Sequence, residues 1–177
     1  MKRDRKAYQV ALTALLCAMS LVFLYLSCIV PTARAAVIAA AGLMPAAAVV
    51  SAGPGAGALC WVGTGILGLL LAPDKGNALL YLLFFGSYPL VKYGVERLRR
   101  LPLELLLKLC FFNAVQTFFL LVLKDIFLAA VPVGDRALWF LYLAGNAAFL
   151  VYDLGLTKLI ALYVARVDAP LRKGRAQ

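Results

Sequence analysis

Histidine is absent from the 177 residues. Its absence excludes Ser-His and Cys-His catalysis, His-ligated zinc and imidazole proton relays. Charge is scarce too. Asp, Glu, Lys and Arg make up 15% of the chain and only eight residues are acidic, against about 25% charged in an ordinary soluble domain. Paired carboxylates are missing, as is a serine with a nearby base, so acid–base and nucleophilic chemistry have no constellation to work with. Asp153 is the only acid near the middle of an apolar run. The four cysteines, Cys17, Cys28, Cys60 and Cys110, lie within apolar stretches and show no C-x-x-C spacing; they read as small buried hydrophobes. The sequence therefore predicts no enzyme, no catalytic residue, no metal centre and no cofactor.

What the chain has in excess is apolar surface. It is 64% hydrophobic, where a soluble domain has about 45–50%, and a soluble fold of this size exposes too much surface to hide the surplus. Lipid is the solvent that accepts it. A spanning helix needs about 20 apolar residues, which predicts six: about 7–30, 34–52, 55–72, 77–97, 103–130 and 137–165. The breaks "PTAR", "AGPG", "APDKG", "RRLP" and "VPVGDR" carry the expected Pro, Gly or charge. The expectation is an all-α polytopic membrane protein: one transmembrane domain, residues 1–177, built as a compact bundle of six helices. The first segment has a basic start and "ARA" at Ala33 to Ala35. Its apolar run of about two dozen residues nevertheless exceeds the 7–15 of a signal peptide, so it is read as a retained helix.

The net charge of +10 lies in short clusters, "MKRDRK", "ERLRR" and "LRKGR". No basic face is interleaved with aromatics, so nucleic acid is not an expected partner. Clusters flanking apolar runs follow the positive-inside rule. With the N-terminus inside, Lys2, Arg3, Arg5, Lys6, Arg97, Arg99, Arg100, Arg166, Arg172, Lys173 and Arg175 fall on the inner face and Arg34, Lys75 and Arg136 on the outer. This bias predicts both termini in the cytoplasm and a plasma-membrane location.

"GTGILG", Gly63 to Gly68, matches the dinucleotide fingerprint G-x-G-x-x-G, and "GPGAGA", Gly53 to Ala58, its looser form. The fingerprint needs a preceding strand and an acid about 20 residues on. Here it lies in one apolar run, and Asp74 and Glu96 stand 9 and 31 positions beyond Gly65. Packing is the expectation, with Gly63 and Gly68 admitting a neighbouring backbone and Gly65 loosening the helix. Pro45 and Pro89 fall inside the second and fourth spans, where neighbours must re-satisfy the freed carbonyls.

Small residues mark helix contacts in lipid. Ala7, Ala11, Ala14 and Ala18 recur at +4, +3 and +4, one stripe on the first helix. It suits either a contact within the chain or a docking face for another membrane subunit. Among ionisable residues, Lys92, Lys108 and Lys158 fall toward the cytoplasmic helix ends, where snorkelling is expected. Glu96 and Glu104 sit four residues from Lys92 and Lys108, in reach of local pairing. The fifth span carries Asn113, Gln116, Thr117 and Lys124 on one face with Asp125 adjacent. The sixth carries Tyr142, Asn146, Asp153 and Thr157 on one face, and the fourth offers Tyr81 and Tyr88. Two readings stay open for these. Either Asn113, Gln116, Lys124, Asp125, Tyr142, Asn146 and Asp153 converge on an outward-facing cavity for a small-molecule ligand, or they bond helix to helix.

Six short helices, basic ends inside, an Ala-x-x-x-Ala first helix opening on "ALTALLCAMS" and a Gly/Ala-rich second and third helix together resemble the substrate-binding S component of energy-coupling factor vitamin transporters. The resemblance implies that Ala14 and Ala18, extended by Ala7 and Ala11, dock on a transmembrane coupling subunit driven by a pair of cytosolic ATPases. It also implies a substrate site in the outer half, formed by helices four to six and the outer loops, in a protein of the bacterial cell membrane. A second resemblance is to small scaffold subunits of the rod-shape MreD kind, or to sporulation-type membrane proteins of similar pattern. That one implies partner helices and no ligand.

Overall fold

The computed structural model describes residues 2–122 and 135–168. Among these the chain is all-helical, without strands. Its helices are α1 (Lys2–Ile29), α2 (Arg34–Ala52), α3 (Pro54–Leu71), α4 (Lys75–Leu80), α5 (Tyr88–Glu96), α6 (Leu101–Val122) and α7 (Asp135–Tyr163). A 3-10 turn, Pro31–Ala33, precedes α2, and π-helical turns occupy Tyr81–Phe85 and Val164–Asp168. Six stretches are long and apolar enough to cross a membrane: Lys6–Ile29, Arg34–Ala52, Pro54–Leu71, Lys75–Glu96, Leu101–Leu121 and Trp139–Arg166. They match the six expected spans closely at most ends. The fifth was expected to reach residue 130, and 123–134 lie outside the described residues.

Local chemistry sets the boundaries. Gly53 takes φ +98°, a left-handed value that favours glycine, and Pro54 then opens α3 at a position where a missing N–H costs nothing. Asp74 caps α4 by accepting from the backbone N–H of Gly76 at 2.9 Å and of Asn77 at 3.4 Å. Its other carboxylate oxygen meets Arg34 at 3.2 Å, which ties the start of α2 to the turn before α4.

The chain packs as two compact units. One holds α1 to α4, α5 as far as Tyr93, and the end of α7; the other is residues 94–157.

In the first unit α1, α2 and α3 pack on one another. Leu16, Ala47, Ala48 and Cys60 form a buried cluster flanked by Leu12, Met44, Ala56 and Tyr163. Pro45 cannot donate the N–H that the Ala41 carbonyl would receive in an unbroken helix. The Ser20 hydroxyl of α1 replaces it at 2.9 Å, and the Tyr81 hydroxyl lies 3.1 Å from the same Ser20 oxygen. The freed carbonyl is thus re-satisfied, as expected.

The fourth span departs from expectation. Pro89 lies inside the fourth span, as expected, but in the first turn of α5, where proline is tolerated. The chain leaves the α-ladder earlier, where the Gly86 N–H bonds the Tyr81 carbonyl at 2.7 Å, five residues back. The displaced carbonyls find other donors. The Trp61 indole N–H reaches Leu82 at 2.8 Å, and the Ser87 hydroxyl lies 2.9 and 3.1 Å from the Leu83 and Phe84 carbonyls. The Phe85 carbonyl, deprived by Pro89 of its usual donor, comes so near Gly42 that a Cβ there would stand 2.5 Å from its oxygen.

"GTGILG" lies wholly inside α3 with no strand before it, so the packing reading holds at Gly68, while Gly63 and Gly65 differ from expectation. A side chain at Gly65 would meet Leu82 and one at Gly68 would meet Leu24, whereas at Gly63 it would touch only Cys17 Sγ at 3.4 Å. Gly65 is a close contact, not a loosening point.

Candidate functional site

In the second unit α6 and the facing part of α7 run antiparallel, because partners rising in number on α6 fall in number on α7. The Asn113 and Asn146 amides bond reciprocally, at 2.9 Å from Asn113 and 3.1 Å from Asn146. Each amide also donates to its own helix, to the Leu109 and Tyr142 carbonyls, both at 2.8 Å. Both N–H groups of each amide are therefore used. One step along, the Thr117 and Tyr142 hydroxyls bond at 2.8 Å. The Gln116 amide donates to the Leu141 carbonyl at 3.0 Å. It lies across bare backbone at Gly145, where a Cβ would sit 2.6 Å from its Nε2. Gln116 Oε1 is buried and accepts no hydrogen bond from the described residues.

At the other end of this seam is an ionic cluster. Lys108 Nζ lies 2.9 Å from Glu96 Oε1 and 3.2 Å from Asp153 Oδ2. The side chains of Lys108 and Asp153 are only 8% and 14% exposed, against 42% for Glu96. Lys108 thus does not snorkel, and its acceptors come from other helices, not from Glu104. The reason is energetic. A buried ammonium and a buried carboxylate are each costly alone, so pairing Lys108 with Asp153 relieves both penalties. Lys92 is likewise buried, while Lys158 is exposed.

The structure therefore brings Asn113, Gln116, Tyr142 and Asn146 together along one seam and sets Asp153 at its end. Lys124 and Asp125 lie outside the described residues. Thr157 is exposed and donates to the Asp153 carbonyl of its own helix at 2.8 Å. Tyr81 and Tyr88 are fully buried in the first unit.

A second candidate is the outer face of α1. Ala7, Ala11, Ala14 and Ala18 are all exposed, while Leu16, Ser20, Leu24 and Ser27 of the same helix are buried. Among the described residues the stripe is not covered. Beside it runs an open groove of about 460 Å³ lined by Lys6, Gln9, Thr13, Ala14, Cys17 and Ala56.

Sequence reasoning missed the ionic cluster and the π turn. A signal for the first existed. Asp153 needs a buried cation, and the Asn113–Asn146 register places Lys108 opposite it. With no family model, no curated protein and no solved structure matching the chain, the functional reading rests on this geometry.

Proposed function

We propose that the chain is a non-catalytic subunit of a bacterial plasma-membrane complex, inserted through six spans with both termini in the cytoplasm. We propose further that it is the substrate-binding subunit of an energy-coupling-factor-type importer of a vitamin or other small nutrient. The observation that carries this reading is the outward-facing alanine stripe of α1. Small residues let helix backbones approach closely in lipid, and a stripe of four that stays exposed among the described residues suits a partner helix. The buried, open acceptor of Gln116 suits a ligand donor on the α6–α7 seam.

Purification in mild detergent tests the proposal, with retained proteins and small molecules identified by mass spectrometry. A coupling subunit with its ATPases is the expected partner. Ala14→Leu with Ala18→Leu should abolish its recovery while leaving helicity unchanged, and recovery at wild-type level sinks the docking assignment. One observation favours a second reading, a ligand-free scaffold of the MreD kind: the closed Asn113–Asn146 pair spends its amide protons on the fold. Retention of cell-wall synthesis proteins and no small molecule is the outcome that scaffold requires.

A further inference from the structure

We infer that the first unit binds an anionic phospholipid, with an acyl chain in the groove between α1, α2 and the end of α7. The inference rests on the membrane insertion proposed above, not on the importer reading. The groove encloses about 440 Å³ and is almost wholly apolar. Leu12, Leu16 and Met19 of α1, Leu43 and Ala47 of α2, and Leu159 of α7 line it. A slot of this character in a lipid-facing surface is filled by hydrocarbon, since water there gains no hydrogen bonds.

The mouth of the slot supplies what a headgroup needs. Val50 and Tyr163 line that end, and the Tyr163 hydroxyl pairs with the Ser51 hydroxyl at 2.9 Å. Lys6 lies at the same end of the helices, lining the neighbouring groove with Ala52, the residue after Ser51. Arg166 is exposed three residues past Tyr163, in the π turn Val164–Asp168 that packs against α2. Among the described residues no acid lines either groove. An apolar slot ending in two hydroxyls, with two cations at the same end of the helices, matches a fatty chain ending in a phosphodiester, and basic residues near such a site favour anionic headgroups.

Native mass spectrometry of the full chain, loaded with phosphatidylglycerol or phosphatidylcholine of identical chains, tests this. Wild-type protein should retain phosphatidylglycerol preferentially. Lys6→Gln and Arg166→Gln should each lower that preference about fivefold, the equivalent of about 1 kcal/mol per basic residue near an anionic surface. Leu15→Trp, at an exposed position on the groove's rim, should reduce retention of both lipids, and Met19→Trp checks the same wall. Equal retention of the two lipids overturns the proposal, as does a preference untouched by both charge substitutions. So does replacement of the lipid by inorganic phosphate alone, or a partner protein displacing lipid from the slot. Failure of membrane insertion itself is distinguishable, because the chain would then partition into the aqueous fraction.

Discussion

Lys108 shows most clearly what a single residue contributes. Its ammonium holds Asp153 from α7 and Glu96 from α5, and removing it takes the buried cation away from a mostly buried carboxylate. Breaking a buried pair in this way costs about 3–5 kcal/mol, whereas replacing both partners by apolar groups is often nearly neutral. Lys108→Met should therefore lower the midpoint of unfolding in detergent strongly, and adding Asp153→Leu should restore much of it, as followed by circular dichroism. A double variant no more stable than the single one would remove the pairing as the cause. The shared faces of Asn113 with Gln116 and of Tyr142 with Asn146 were legible, because helical periodicity alone fixes them. The partner of Lys108 was not. Glu104 is nearer in sequence, and only the packing of α6 against α7 shows that pairing with Asp153 relieves two desolvation penalties instead of one.

At the scale of the element, α2 and the fourth span solve one problem in two ways. In α2 the helix stays continuous past Pro45 and borrows the Ser20 hydroxyl for the Ala41 carbonyl. In the fourth span the helix breaks into α4, a π turn and α5, its carbonyls turn to Trp61 and Ser87, and Gly42 leaves room for the Phe85 carbonyl. The first account predicts a specific coupling. Ser20→Ala leaves a buried carbonyl without its donor, at a cost of about 1–3 kcal/mol. In a Pro45→Ala background residue 45 regains its N–H, and the same Ser20→Ala change should cost much less. A double-mutant cycle measures this, and strict additivity would contradict it. Pro45 was visible in the sequence, together with the need for a donor. The π turn was not, since "YLLFF" is an unbroken apolar run with no feature that separates one helical hydrogen-bonding register from another.

For the whole molecule, composition and punctuation made six apolar helices and most of their ends legible, because a 20-residue apolar run bounded by Pro, Gly or charge has few other uses. The destination of the α1 alanines was less so. Small residues mark a contact without saying whether the neighbour belongs to the same chain, and only the packed helices show all four facing outward. The docking role proposed for α1 depends on that outward face, and crosslinking in living cells tests it most directly. A photoreactive residue would be placed at position 14, at position 18, and at the exposed Leu106 of α6 as a reference. Positions 14 and 18 should capture one transmembrane protein that brings a pair of ATPases with it, and position 106 should not. Adducts from 14 and 18 with lipid alone, or with the same proteins that position 106 captures, would contradict the docking face and the importer reading built on it.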